Sequence, residues 1–408
     1  MSGGQSEVRV GLVGCGSMGC GIALQLDATP GMKLLWVADR NAEAAVKAGA
    51  LAACPASTDP LKMLEKHPID VLVEATNSIG AAARYCFAAI ESRSHVVLMN
   101  AEVDLALGPL LAHEARRQCV VVTSDAGDQH GVLASMIMEA DLMGFDVVQA
   151  GNIKGFLDRR ATPASLVHEA AKRRLSPEQC CAYTDGTKLH IEMAVLANGF
   201  GYLPPIGGMT GPRAHSVHEV PELFDFATYE GTPRVDYILG AEPGGGVYLV
   251  VRPKVGLSEE QRFYLGYYKL GAGPWYLLYR PYHLCHLETP KAILSAVRGQ
   301  PILAPGQHAM LLGAQPRSAR PTCQVFARAK RALRAEETLQ HAIGSEACYG
   351  TLETADTPAI PIVLLEDPVI LHKPVARDEF LTSNHLDLPD SDLLRWWRQQ
   401  EALLDSCV

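Results

Sequence analysis

The chain has 408 residues, of which 48% are hydrophobic and 20% charged, and 36 Lys+Arg against 45 Asp+Glu give a formal net charge of −9. That length predicts two or three domains, each able to bury a core, and that composition excludes a wholly disordered or fibrous chain. The acidic balance, with no dense run of Lys or Arg, argues against nucleic-acid and anionic-membrane partners and for a soluble protein kept apart by like charge.

The opening MSGGQSEVRVGLVG runs into a strand with no basic-then-apolar leader, so a cytoplasmic chain is expected. Over residues 1–150 the apolar runs Val8–Val13, Leu34–Ala38, Val71–Glu74, His95–Met99, Cys119–Thr123 and Val147–Ala150 alternate with helical spacing at Met18–Asp27, Ala42–Ala48, Ala81–Glu91, Leu110–Arg117 and Val132–Met143. Asp59 before Pro60 reads as a further helix start. Such alternation predicts an α/β, doubly wound parallel sheet of the Rossmann type, covered on both faces.

From Gly151 the pattern changes. Lys188–Met193 alternates as a half-exposed strand does, while Val235–Leu239 with Val247–Val251 and Tyr267–Leu270 with Trp275–Tyr279 read as two hairpins. An α+β domain with a largely antiparallel sheet is predicted over 151–320. Thr289 as cap and Pro290 at the first helical position predict a helix over 289–299 that returns toward the first domain. The uncharged stretches 193–212 and 299–316 are broken by Gly and Pro too often to hold a lipid-exposed helix. After a loop-like stretch, a third unit over 321–408 begins near Cys323 and ends in a helix over 391–404, with Leu394, Trp397 and Leu404 on one face.

The sharpest local signal is Gly14, Gly16 and Gly19 in G-x-G-x-x-G spacing, between a strand and a helix opening at Ser17 and Met18. Glycine serves there for the tight turn, for close approach of backbone to a pyrophosphate, and for helix–strand contact. Asp39 ends the second strand about 20 residues later, where an acid accepts ribose hydroxyls. Its charge favours NAD, whereas Arg40 beside it can pair a 2′-phosphate if Asp39 turns aside, so NAD and NADP both stay open. Thr76, Asn100 and Glu102 stand at the ends of later strands, where they either border the nicotinamide or serve as turn residues. Asp128 and Gln129 follow the last such end.

MNAEVDLALGPLL, GTKLHIEMAVLANGFGYLP, GPRA and KLGAGPWYLLYRPYHLCHLETP resemble the homoserine-dehydrogenase-like oxidoreductases that carry a C-terminal SAF domain, nearest the type II, reductoisomerase-like 1-deoxy-D-xylulose 5-phosphate reductoisomerases. The resemblance spans nearly the whole chain from Val8, and the unit beginning AKRALRAEETLQHAIG resembles the SAF β-clip module. It implies an NAD(P)H-linked reduction in a homodimer formed through the middle sheet. For the reductoisomerases it further implies a phosphorylated ketose that is rearranged and then reduced. The chain departs from that pattern at Asp39–Arg40, at Asn152 where a lysine is expected, at Gly155–Phe156, and at Gly127–Gly131.

Reducing a carbonyl requires a proton donor and a positive charge near the oxygen, and lysine supplies both. Lys154, leaving the last strand of the first domain, is the first candidate general acid and Lys188 the second. Arg213, Lys269, Arg280 and His283, with Asp128 and Gln129, are the candidate substrate-binding residues, set against the alternative of structural pairing with Glu192 or Glu288. No metal is expected. The 11 cysteines, an odd number with no Cys-x-x-Cys, suggest neither a disulfide framework nor zinc, and no carboxylate–His spacing surrounds His283 and His286. A small-molecule reductase therefore leads, with a semialdehyde or sugar-acid dehydrogenase and a non-catalytic dinucleotide sensor as alternatives.

Overall fold

A computed structural model of the protein describes residues 7–305 and 320–406. Two compact units result. The first takes the chain through Asp128, a segment opening at Leu284 and the C-terminal stretch from Leu388; the second takes Gln129–His283 and the segment ending at Asp387. These lines differ from the boundaries at 150 and 320 expected from sequence.

In the first unit β1 (Val8–Val13), β2 (Met32–Ala38), β3 (Ala56–Ser57), β4 (Val71–Glu74), β5 (His95–Leu98) and β6 (Val122–Ser124) form one parallel sheet in the order β3-β2-β1-β4-β5-β6. Helices α1 (Ser17–Asp27), α2 (Ala42–Leu51), α3 (Pro60–Lys66), α4 (Ile79–Glu91) and α5 (Ala101–Arg117) join them. The strands are mostly apolar because both faces are covered: Val10, Leu12, Val71, Val73 and Val97 are fully buried. Asn41, Asp59, Ser78 and Asn100 accept the free N–H groups that open α2 to α5. α5 starts nine residues earlier than the spacing predicted, because Pro109 sits inside a helix buried on nearly every side.

The second unit holds α6 (Gln129–Leu142), β7 (Phe145–Lys154), α7 (Val167–Arg173), α8 (Pro177–Thr184), α9 (Thr187–Phe200), α10 (Val220–Leu223), β8 (Arg234–Leu239), β9 (Val247–Pro253), α11 (Glu259–Tyr267) and β10 (Tyr276–Arg280). Its mixed sheet runs β10-β9-β7-β8. Four expectations are corrected here. Val147–Ala150 belongs to β7, central in this sheet rather than last in the first. The first hairpin does not form, because β7 inserts between β8 and β9, parallel to one and antiparallel to the other. Nor does the second: Tyr267 ends α11, which a capping box at Ser258 starts, and β10 pairs with β9. Finally, Lys188–Met193 lies within α9, where His190 and Glu192 are as buried as the apolar residues between them, so the alternation does not mark a solvated face.

α12 (Cys285–Val297) returns to the first unit, where Ala292, Ile293 and Ala296 join the core of Ile22, Ala23 and Leu26. It begins four residues before the expected cap. Pro290 therefore lies inside the helix, and the Thr289 hydroxyl donates back to the Cys285 carbonyl. Residues 306–319, within the expected loop, lie outside the described residues. β11 (Cys323–Ala329) pairs with β13 (Cys348–Thr354), and β12 (Thr338–Leu339) with β14 (Val369–Ile370). This segment is tied into the second unit by buried Lys330, whose Nζ lies 2.8 Å from Asp185 and also reaches the carbonyls of Ala161 and Ser345. α13 (Asp392–Ser406) packs on α4 and α5, with Trp396 against Phe87 and Arg84 2.7 Å from Asp392. No helix among the described residues is long and apolar enough to cross a membrane.

Candidate functional site

The glycine loop joins β1 to α1. Gly14 has φ +94°, and a Cβ there would collide with the Ala75 backbone; a Cβ on Gly19 would strike the Gly14 carbonyl, so α1 can approach only without one. A Cβ on Gly16 would meet nothing, which leaves the loop's outer side open. Gly16 is the N-cap of α1 and brings no side chain to its first N–H groups, an arrangement suited to an anion. The residues therefore fit a dinucleotide's diphosphate. Ser17 and Met18 form the exposed first turn.

Asp39 directly follows β2 with both oxygens engaged: one accepts the Cys15 N–H at 2.7 Å and the other the Asn41 N–H at 2.8 Å. It holds the glycine loop in shape. Arg40 beside it is exposed. At the end of β4 the Thr76 N–H donates to Glu74 at 2.8 Å. Asn100 caps α5 through the N–H groups of Glu102 and Val103, so its carbonyl oxygen has a structural task. Two buried acids stand nearby: Asp125, at a strand end, and Asp104, which the sequence pattern did not single out. Burial pushes Asp104 up to about 7, against a hydrogen bond from Ser124, and pushes Asp125 up to about 7, against bonds from Thr289 and Gly127.

In the second unit, Lys154 closes β7, not the last strand of the first sheet, and its Nζ donates to Oε1 of buried Gln129 at 2.9 Å. Gln129 thus positions the lysine through a neutral oxygen. Register places other candidates at the same end of the sheet. Lys154 pairs with Leu239, whose far neighbour is Arg213, and Gly240 donates to the Lys154 carbonyl at 2.7 Å. Arg280, at the end of β10, lies in one row with Val247 and Asn152 and stacks on Tyr282 at 4.8 Å, with His283 three residues on. Lys269 stands apart, in the excursion between the end of β9 and the start of β10, which leaves the sheet at its opposite end. Lys188 opens α9 with its Nζ over the ring of Tyr183. Arg159, exposed in the segment after β7, was not singled out by spacing. Asp128 closes the first unit, half-buried.

Residues 14–123 match the family model for the homoserine dehydrogenase NAD binding domain, and residues 127–289 match that for the oxidoreductase DRL catalytic domain. No curated protein matches the chain. Among solved structures, a probable dehydrogenase from Thermotoga maritima is similar at 14% identity over 72% of this chain and 90% of that one, with a TM-score of 0.44. Myo-inositol 2-dehydrogenase from Lactobacillus plantarum is similar at 13% identity over 72% and 91%, with a TM-score of 0.42. The glycine loop and Asp39 fall within the first family match, and Lys154, Arg213 and Arg280 within the second. The chain thus carries a homoserine-dehydrogenase-type NAD-binding domain followed by an oxidoreductase catalytic domain, and is an NAD(P)-dependent oxidoreductase.

Proposed function

We propose that the protein reduces a carbonyl of a small, polar, anionic substrate, with Lys154 as the proton donor. When bound, the dinucleotide supplies the hydride. The observation that carries this reading is the setting of Lys154: its amine is fixed at 2.9 Å by the neutral amide of Gln129 rather than by a carboxylate. It therefore keeps its charge for a developing alkoxide and a proton to transfer to it. Arg213 and Arg280, at the same end of the sheet, suit a phosphate or carboxylate on the substrate. Lys188 is the second candidate donor.

NADH is the proposed cofactor. Turning Asp39 aside to admit a 2′-phosphate beside Arg40 breaks two hydrogen bonds to a charged group, at about 1.5–3 kcal/mol each. The resemblance to 1-deoxy-D-xylulose 5-phosphate reductoisomerases supports a phosphorylated ketose and a coupled isomerisation; the match to a homoserine dehydrogenase domain supports a semialdehyde or sugar acid instead. The same resemblance supports a SAF-like β module after residue 320 and a homodimer, which sedimentation tests.

The deciding experiment screens phosphorylated ketoses, semialdehydes and sugar acids with NADH and NADPH. Lys154→Ala is expected to bind the dinucleotide normally while losing about 10²- to 10⁴-fold in kcat on the accepted substrate. An unchanged kcat removes Lys154 from the role, and failure to bind either reduced dinucleotide overturns the whole reading.

A further inference from the structure

α11 lies in the excursion from β9 to β10, and the rest of the second unit scarcely covers it. Leu265 is half-buried; every other residue of the helix is exposed. Its nine residues are too few to hold a helix alone in water, where about 12–15 are needed even for good helix formers. The capping box at Ser258 closes only its first turn. Its order calls for a surface to pack on.

The face it offers is aromatic. Phe263 and Tyr267 stand four apart on one ridge and stack with ring centroids 6.4 Å apart; Tyr264 and Tyr268 do the same on the next ridge at 6.1 Å. The ridges meet edge to face, Phe263 on Tyr264 and Tyr267 on Tyr268, each at 5.7 Å. Yet Phe263 is 65% exposed, Tyr264 46%, Tyr267 67% and Tyr268 68%. A covered ring buries about 150–250 Å², so the four leave on the order of 500 Å² for a partner. That is more than half of the roughly 800 Å² that each chain contributes to a stable interface.

The charges indicate which partner. Glu259 and Glu260 head the same two ridges, one turn before the rings, and Lys269 follows them. Among the described residues none of these three forms an ion pair. Acid, aromatic and base in that order make a helix complementary to its own reverse. Two copies of α11 laid antiparallel about a two-fold axis cover each other's rings and set Glu260 of each near Lys269 of the other. Two acids at the head of the helix do not suit a nucleic-acid backbone or an anionic membrane.

We infer that α11 is the docking surface for a second copy of this chain, joined through the aromatic face with Glu260 opposite Lys269. This rests on the reading of the protein as a homodimer and names a surface that joins it. It also gives Lys269, which stands apart from the other candidate substrate residues, a place in assembly.

Sedimentation of the full chain tests it, with NADH titrated into each preparation as a check on folding. The wild type should sediment as an assembly of two chains or more. Phe263→Glu combined with Tyr267→Glu should raise the dissociation constant by about tenfold or more. Both positions are exposed, so NADH affinity should stay within about twofold. Glu260→Lys and Lys269→Glu should each weaken association, and the two together should restore it, as only facing charges do. These charge variants carry the test should the aromatic pair fail to fold. An aromatic variant that associates like the wild type, or charge variants whose effects simply add, overturns the surface and leaves the homodimer standing. A wild type that sediments as a single chain overturns homodimer and surface together.

Discussion

Asp39 holds the glycine loop and, in the proposed reading, the ribose with one carboxylate. Replacing it by serine removes the acceptor of the Cys15 N–H and the charge that repels a 2′-phosphate, leaving Arg40 unopposed. Asp39→Ser is expected to weaken NADH binding by about tenfold or more and to narrow or invert the preference over NADPH, read by fluorescence titration of both. A variant that kept the wild-type ratio would remove Asp39 from cofactor choice. The glycines and Asp39 were legible because their geometry is local: one strand, one turn and one helix fix it. Asn100 read equally as a turn residue or as a neighbour of the nicotinamide, and the structure makes it the cap of α5. That Asn152 stands opposite Tyr237 was not legible, since it depends on how β7 and β8, far apart in sequence, fall into register.

Among the elements, α5 and α13 show a side chain supplying what a helix lacks. Gln400 on α13 accepts the Leu110 N–H at 3.1 Å and donates to the Ala106 carbonyl at 3.0 Å, serving both ends of one helical rung just past Pro109. Gln400→Met keeps the volume and removes both bonds. It should lower stability by about 1–3 kcal/mol, seen as an earlier urea midpoint, and an unmoved midpoint would show that α5 closes the rung unaided. The parallel strands of the first unit could be read from sequence because burial on both faces leaves largely apolar runs. The second sheet could not be. The short segments flanking GAEPGGG look the same whether they pair with each other or receive a third strand between them, and α9 is buried on too many sides for polarity to report its period.

For the whole molecule, pH acts mainly through buried acids. Burial raises Asp104 and Asp125 to about 7 and also raises Asp185 and Asp236. A carboxyl that titrates higher folded than unfolded keeps the native state more protonated between about pH 4 and 7, so stability falls as pH climbs through that window. The slope is at most about 1.4 kcal/mol per pH unit for each group. Acids held low by partners, such as Glu169, Asp378 and Asp392, act in the opposite sense below about pH 4, but they are exposed and count for little. The thermal midpoint should therefore be higher at pH 5.5 than at pH 8, and Asp104→Asn, which can still accept from Ser124, should flatten the difference. Equal flatness in wild type and variant would mean that these acids are already charged in the folded protein at pH 5.5.

Lys330 has a consequence for dissection of the chain. It meets Asp185 and two carbonyls in the interior, so a version shortened after β10 would leave the buried Asp185 without its cation, just upstream of Lys188. What resembles an appendage by its place in the sequence is, in charge terms, half of an internal salt. The portion spanning the two matched domains is expected to be less stable than the full chain until that acid is neutralised.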